Sequence, residues 1–179
     1  MSGPIEVHGT RVLLRELSLD DLSVISEYTS DPDVCRYVSW GPISADETTR
    51  WVSAAIAAAD VSPRVWYELA VVIAASGEVA GHVGLELERT QRLTGEFGYV
   101  LRSNFWGQGI ATEAASLLLR FAFGDLGLHR VWASCDEENR ASVRVLEKLG
   151  LALEGRHRDN LFVRGRWRTS LIYAALRED

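Results

Sequence analysis

The chain has 179 residues, of which 47% are hydrophobic and 25% charged; this is the balance of one folded domain spanning residues 1–179, not of a disordered segment. The formal net charge of −6 argues against nucleic acid as a partner, because phosphate binding needs clustered Lys and Arg. It is compatible with a cationic partner such as an amine, and equally with ordinary solubilising surface charge.

The two cysteines, Cys35 and Cys135, have no CxxC pattern and no His nearby at ligand spacing. We therefore expect neither a disulfide framework nor a metal site. Residues 1–10 carry Glu6 and His8 and lack an apolar core, so we expect no signal peptide. The weakly polar stretch 52–59 is too short to span a bilayer. These features predict a cytoplasmic protein that does not bind membranes.

The first half of the chain predicts a strand, two helices and three strands. Ser18, followed by Asp20 and Asp21, predicts the start of the first helix. Ser44 with Glu47 three residues later predicts a capping box at the start of the second. Alternating apolar residues predict the strands. The predicted elements are a strand over 10–17, helices over 18–30 and 44–59, and strands over 66–74, 79–88 and 95–102.

The second half predicts a largely covered helix over 108–123, whose polar side chains form only a narrow stripe, as in a helix packed on a sheet. A strand over 129–135 and a helix over 139–149, ended by Gly150, come next. Two closing strands lie near residues 161 and 171. This order predicts an α/β fold with a mixed sheet, because a doubly wound fold would alternate strands and helices strictly.

Residues 99–114, YVLRSNFWGQGIATEA, join a strand to a helix through a turn that contains Gly107 and Gly109. Glycines let the main chain approach a bound group, and the N–H groups of a helix start favour an anion, so the segment suggests a pyrophosphate site. A tight turn without a ligand is the alternative. A dinucleotide fingerprint would need a small residue where Thr112 stands, and no Gly-Lys-Ser/Thr follows as in a P-loop.

Residues 139–150, NRASVRVLEKLG, predict an amphipathic helix with Ser142 in the middle of its apolar face, beside Val145, Leu146 and Leu149. An inward hydroxyl needs a partner, which is either the preceding backbone at the helix start or a functional group. Asn139 stands at the N-cap position.

These two segments resemble the GNAT superfamily of acyltransferases. Its usual coenzyme A signature, Gln/Arg-x-x-Gly-x-Gly/Ala, falls on residues 106–111, where Trp106 replaces Gln or Arg. Residues 135–151, CDEENRASVRVLEKLGL, look like the Asn-x-x-Ser…Glu-Lys-x-Gly segment of the ribosomal-protein N-terminal acetyltransferase branch, the RimJ/RimL type. The segments TRVLLRELSLDDL, GEFGYVL and EGRHRDNLFVRGRWR are similar to that branch too, although Thr169 stands where many relatives have Asp.

The resemblance implies the GNAT acyl-CoA N-acyltransferase fold, a central and mostly antiparallel sheet flanked by helices and splayed apart between strands 95–102 and 129–135. The pantetheine arm of acetyl-CoA would lie in the gap, and its pyrophosphate on the N–H groups of residues 107–112. No metal is implied. The residues that the resemblance assigns to coenzyme A are Val100, Leu101, Arg102, Gly107, Gln108, Gly109, Ile110, Ala111, Thr112, Asn139 and Ser142.

An amine that attacks a thioester needs a base, a polarised carbonyl and a proton for the departing thiolate. Ser142 is the candidate proton donor, since the tyrosine that relatives often carry is missing from this helix. A backbone N–H at the end of strand 95–102 is the candidate oxyanion donor. Glu96 is the first candidate for the base, because it shares a strand face with Val100; a carboxylate bonded within the sheet is the alternative. The other candidate bases are Glu68, Glu86 and His82.

The acceptor side has no motif, so several functions stay open. The absence of one obvious base favours an amine of low pKa, such as the α-amine of a peptide or protein, with a pKa of about 8 against about 10.4 for lysine. The alternatives are a small amine (an antibiotic, polyamine or amino acid) and a coenzyme A-binding module without catalysis. Either a monomer or a homodimer is compatible with the resemblance. The aromatic residues that could line the acceptor pocket are Tyr28, Tyr37, Trp40, Trp51 and Trp167.

Overall fold

The computed structural model describes residues 4–88 and 93–179. Eight strands and four α-helices make up the regular structure of these residues, together with short 3-10 turns and a π-helical turn over Phe121–Asp125. In chain order they are β1 (Glu6–His8), β2 (Val12–Glu16), α1 (Leu22–Thr29), α2 (Ala45–Ala59), β3 (Trp66–Ile73), β4 (Val79–Leu87), β5 (Thr94–Leu101), α3 (Ile110–Arg120), β6 (Arg130–Asp136), α4 (Arg140–Lys148), β7 (Ala152–Val163) and β8 (Arg166–Leu176).

All eight strands form one mixed sheet in the order β1-β2-β3-β4-β5-β6-β8-β7. Every neighbouring pair is antiparallel except β5 and β6. A parallel connection needs a crossover, and α3 supplies it between these two strands. The predicted mixed α/β sheet flanked by helices is therefore confirmed.

The helices cover both faces of the sheet and bury two apolar clusters. On one face, Ile25 of α1 and Val52 of α2 pack with Ala70 of β3. On the other, Leu118 of α3 and Leu146 of α4 join the larger cluster. Burying each such aliphatic side chain contributes about 1.5–3 kcal/mol. Because both faces of the sheet are covered, the consecutive residues 69–72 of β3 are all buried.

The sheet opens between β5 and β6. The two strands pair over three residues only, ending at Glu96 opposite Trp132. Beyond that point β5 continues to Leu101 beside β4, while β6 continues to Asp136 beside β8. One end of the sheet therefore holds a gap with unpaired strand edges on both sides.

Most predicted boundaries agree with the structure to within one or two residues. Helix α2 has the predicted capping box: the Ser44 side chain accepts from the N–H of Glu47, and the Glu47 side chain accepts from the N–H of Ser44. Three elements differ. Strand β1 was not predicted, because three residues give no readable alternation. The first helix is split into a 3-10 turn and α1. The helix expected at residue 108 begins at Ile110, since Gly109 is left-handed. Within the described part of the chain, no helix has the length and hydropathy needed to cross a membrane.

Candidate active site

The turn before α3 leaves a helix start open to the gap. Gly107 and Gly109 have φ angles of 73° and 79°, which favour glycine because they are left-handed. No side chain caps the start of α3, so its first N–H groups are free of the usual side-chain acceptor. An uncapped helix start beside left-handed glycines is a cradle that fits a phosphate group.

An ion pair between Glu113 and Arg11, the residue before β2, holds this turn in place. The Arg11 Nε–H donates to Glu113 Oε2 at 2.8 Å, and the Arg11 N–H donates to Glu113 Oε1 at 2.7 Å. A second donor of the same guanidinium reaches the carbonyl of Gln108 at 2.8 Å. Sequence reasoning did not assign a role to Arg11 or Glu113, because they are 102 residues apart.

The free edge of β5 presents main-chain groups of alternate residues to the gap. The Arg102 N–H donates to the Ala80 carbonyl in β4, so by strand alternation the N–H groups of Leu101 and Tyr99 face the other way. The Trp106 indole donates to the Leu101 carbonyl at 2.9 Å. Of the three residues predicted to pair with the pantetheine arm, Leu101 presents its N–H to the gap, whereas the N–H groups of Val100 and Arg102 face β4.

A cavity of about 310 Å³ runs along the gap. It contains most of the residues that the sequence assigned to coenzyme A. Three assigned residues point elsewhere: the Ile110 side chain is buried in the core, Gln108 donates to the Asn104 carbonyl, and Arg102 pairs with Glu78. The assigned residues that line this cavity are Val100, Leu101, Gly107, Gly109, Ala111, Thr112, Asn139 and Ser142.

Ser142 meets a hydroxyl from the opposite side of the gap. Its Oγ lies 2.8 Å from Tyr99 Oη, while the Asn139 side chain accepts from the Ser142 N–H at 3.1 Å as the N-cap of α4. Burial raises the pKa of Tyr99 to about 12, although the bond to Ser142 opposes the rise. Both hydroxyls thus stay protonated at neutral pH. Sequence reasoning placed Ser142 inward but missed Tyr99, which a strand pattern shows only as an apolar-face residue.

A second cavity, of about 330 Å³, opens on the face of the sheet that carries α1 and α2. It shares lining with the first cavity, so the two meet through the gap. The shared residues are Tyr37, Val38, Tyr99, Val100, Asn139 and Ser142.

Four acidic side chains line this second cavity: Glu68, Glu86 and Glu96 on neighbouring strands, and Asp136 at the end of β6. Burial raises the pKa of Glu96; the long hydrogen bond from Ser134 Oγ, at 3.4 Å, opposes the rise and nearby Glu86 adds to it. Burial also raises the pKa of Glu68, to about 8. The structure thus brings Glu96 to the cavity together with two of the alternative bases.

The third alternative base, His82, is buried and packs in an aromatic cluster. Tyr28 Oη lies 2.8 Å from its Nδ1, and the Trp51 ring lies 4.9 Å away. Burial lowers the pKa of His82 to about 4, so its ring is neutral at pH 7 and a weak base toward an ammonium group. Tyr28 and Trp51 therefore support His82, while Trp40 and Tyr37 line the cavity itself.

Trp167 was also expected to line the acceptor pocket. It is instead 60% exposed and packs beside Phe162 on the closing hairpin.

The segment over residues 34–41 walls both cavities and is held by two arginines. Arg164, at the tip of the β7–β8 hairpin, donates to five of its carbonyls. Arg168 of β8 donates to the Tyr37 carbonyl at 3.0 Å and lies 3.8 Å from the buried Asp136 carboxylate. The closing hairpin thereby fixes the wall of the second cavity.

The family model of the acetyltransferase (GNAT) domain matches residues 11–152, which cover the splayed strands, the glycine turn and α4. The chain belongs to the GNAT acetyltransferases. The expected superfamily is confirmed, and members of this family are N-acetyltransferases.

Similar proteins span nearly the whole chain of this GNAT acetyltransferase. A GNAT-family acetyltransferase from Bacillus anthracis has a TM-score of 0.88 and 28% identity over 98% of this chain and 100% of its own. Spermidine N(1)-acetyltransferase of Escherichia coli K12 is 27% identical over 89% of this chain and 83% of its own. RimL, the ribosomal L7/L12 α-N-protein acetyltransferase solved with coenzyme A, shares the fold, with a TM-score of 0.86 and 19% identity over 96% of this chain and 98% of its own.

Proposed function

We propose that this GNAT acetyltransferase moves the acetyl group of acetyl-CoA to a primary amine, and that the α-amine of a peptide or protein is its acceptor. The observation that carries the proposal is the meeting of two cavities at the gap between β5 and β6. One cavity has the phosphate cradle and the other the carboxylates, so donor and acceptor can meet at Tyr99 and Ser142.

The residues fit a coenzyme A molecule in the first cavity. The free N–H groups at the start of α3 would hold the pyrophosphate, and the Tyr99 carbonyl and the Leu101 N–H would pair with the pantetheine arm. Acetyl-CoA supplies the activated acetyl group as a thioester. Trp106, which replaces the usual Gln or Arg, ties the Leu101 carbonyl to the glycine turn and so shapes this groove.

Three residues of the chain have catalytic roles in this proposal. Glu96 accepts a proton from the acceptor ammonium, helped by the raised pKa that burial gives it. The N–H of Tyr99, which faces the gap, donates to the developing oxyanion. Ser142 Oγ gives a proton to the departing sulfur and regains one from Tyr99 Oη, 2.8 Å away, which in turn takes a proton from water.

A small polycationic amine is the second candidate acceptor. Four acidic side chains line the second cavity against the one arginine of its lining, Arg168, and this excess of acidic groups favours a polycationic amine. Similarity to the spermidine acetyltransferase of Escherichia coli agrees with this candidate, and the shared fold of RimL agrees with the first.

The test has two stages. Titration calorimetry with acetyl-CoA, with NADH as the control, should show binding of acetyl-CoA alone. Thiol release is then measured with an alanine-initiated peptide, its N-terminally blocked form, and spermidine. Turnover of the free peptide supports the first acceptor, and turnover of spermidine alone supports the second. Binding without any turnover would mean a coenzyme A-binding module, and no binding by folded protein would overturn the proposal.

A further inference from the structure

The sheet face below the second cavity contains a row with two glycines. The strand register pairs Glu68 of β3 with Gly84 of β4, and Gly84 with Gly98 of β5. The rows on either side carry full side chains at most positions, for example His82 and Val100. The middle row thus lacks side chains of its own on β4 and β5.

The two glycines differ in what lies above them. A Cβ on Gly84 would come within 2.7 Å of Glu68 Oε1, so the Glu68 side chain covers this position. A Cβ on Gly98 would meet nothing within 4 Å. Adjacent strands lie about 4.8 Å apart, so the open space over Gly98 borders the Glu68 carboxyl group on one side. On its other side lies the gap, where β5 has left β6.

Glu68 has an unsatisfied oxygen at this place. Its Oε1 accepts from the Trp66 indole at 3.0 Å, while Oε2 is out of contact with solvent and has no hydrogen-bond partner among the described residues. A buried polar atom without a partner costs about 1–3 kcal/mol, and a turn of the Glu68 side chain toward the open space over Gly98 would let a ligand donor remove that cost. Burial also raises the pKa of Glu68 to about 8, which an incoming cation would counter.

We infer that the open space over Gly98 is the seat of the acceptor's ammonium group and that Glu68 is the carboxylate that binds it. The inference rests on the proposed function and adds the group that holds the acceptor. The flanking side chains of Glu96 and Val100 stand two residues away along β5, so the seat is one side chain wide. It fits a primary ammonium group on its carbon, the chemistry that peptide α-amines and polyamines share.

Filling the seat tests the inference directly. In Gly98→Val the added side chain enters open space in a strand, where valine is a favourable residue, so the fold should be retained. We expect the KM for spermidine and for an alanine-initiated peptide to rise by about tenfold or more, since a bound charged group contributes about 1.5–3 kcal/mol. The affinity for acetyl-CoA and the Tm should stay as in the wild type. Gly124→Ala, remote from both cavities and equally open, is the matched control.

The second test of the inference replaces the Glu68 carboxyl group, which can carry a negative charge, by a neutral amide. Glu68→Gln keeps an oxygen that can accept from Trp66, so it should raise the acceptor KM by about tenfold while kcat changes less. Glu88→Gln removes the same charge outside the cavity and should change KM by less than about twofold. An effect on only one of the two acceptors identifies which kind of amine uses the seat.

The experiments distinguish failure of the ammonium seat from failure of the proposed function. If the wild type acetylates these amines and both variants keep KM within about twofold, the seat is wrong while the proposed function stands. If the wild type acetylates neither, the proposed function fails, and calorimetry of spermidine with protein saturated by coenzyme A decides on the seat. Binding that Gly98→Val abolishes then supports it, and absent or unchanged binding overturns it.

Discussion

At the residue scale, the hydroxyls of Ser142 and Tyr99 have separable roles. We expect Ser142→Ala to lower kcat by about 100-fold with unchanged affinity for acetyl-CoA, because it removes the proton donor to sulfur but no atom of the phosphate cradle. Tyr99→Phe should lower kcat by about tenfold, since the Ser142 hydroxyl remains. Steady-state kinetics and calorimetry measure both. Ser116→Ala, on the exposed side of α3, is the control, and an unchanged kcat in Ser142→Ala would remove that residue from the mechanism.

Glu68 gives the fold a pH dependence that can be measured without any ligand. Its pKa is about 8 in the folded chain, against about 4.3 when unfolded. The folded state therefore holds this proton more tightly, and stability is lost as pH rises from about 4.3 to about 8.

We expect Glu68→Gln to raise the Tm at pH 8.5 by about 3 °C or more relative to its effect at pH 5, because glutamine cannot ionise. Thermal denaturation at the two pH values measures the difference. His82 titrates in both proteins, from about 6.5 unfolded to about 4 folded, so its contribution largely cancels in the comparison. If the Tm difference between Glu68→Gln and the wild type is the same at both pH values, ionisation of Glu68 costs the folded state little free energy.

The sequence predicted the role or orientation of a single residue where the local backbone geometry determines it. Asn139 was expected as an N-cap and does accept from the Ser142 N–H, three residues on. Ser142 was expected to face inward, but its partner Tyr99 lies 43 residues away on another strand. Which strands neighbour each other, and in what register, is needed to place that pair, and one sequence does not contain the register.

At the scale of elements, the glycine turn before α3 depends on backbone conformation. Gly109→Val should abolish acetyl-CoA binding, because a β-branched residue at φ 79° strains the turn and its Cβ would lie 3.2 Å from Arg11 Nη2, whose guanidinium holds the turn in place. Gly77→Val is the matched control, since it places the same residue at φ 74° in the open β3–β4 turn, away from both cavities. Calorimetry should show binding lost in the first variant alone; loss in both would indicate unfolding instead.

The closing hairpin acts on the second cavity through Arg164. Five carbonyls of the 34–41 segment accept from its guanidinium, so Arg164→Lys, with one compact donor group, should loosen that wall. We expect a rise in acceptor KM of about fivefold, with kcat and acetyl-CoA affinity nearly unchanged, because charged hydrogen bonds are lost without loss of a reacting group. Arg156→Lys, on the same hairpin and paired with Glu137, is the control. A fall in kcat alone would contradict a positioning role.

The sequence predicted the ends of helices where capping residues mark them. It predicted the ends of strands less well where pairing with other strands determines their length. The Ser44 capping box gave the start of α2, and Gly150, at φ 81°, follows the end of α4. The closing strands were placed only by their centres, whereas β7 and β8 extend over twelve and eleven residues. Their length follows from pairing with each other and with β6, which the local pattern does not record.

At the scale of the whole molecule, three paired residues join the two halves of the sheet at β5 and β6. The splay was expected from the family resemblance, because apolar periodicity cannot tell a paired strand edge from an open one. A ligand in the gap would bridge the main chain of β5 and the side chains of α4, in addition to α3. The donor molecule should therefore stabilise the fold as a unit.

We expect acetyl-CoA at 100 times its dissociation constant to add about 2.7 kcal/mol to the free energy of unfolding. This corresponds to a Tm increase of about 5–10 °C for a chain of this length. Hydrogen exchange should slow at the Tyr99 and Leu101 amides, which face the gap, whereas the Arg102 amide is already bonded to Ala80 and should be protected without ligand. Protection confined to the first turn of α3 would mean that the ligand binds through its phosphates alone and does not join the two halves; an equal effect of NADH would mean that the cradle does not select coenzyme A.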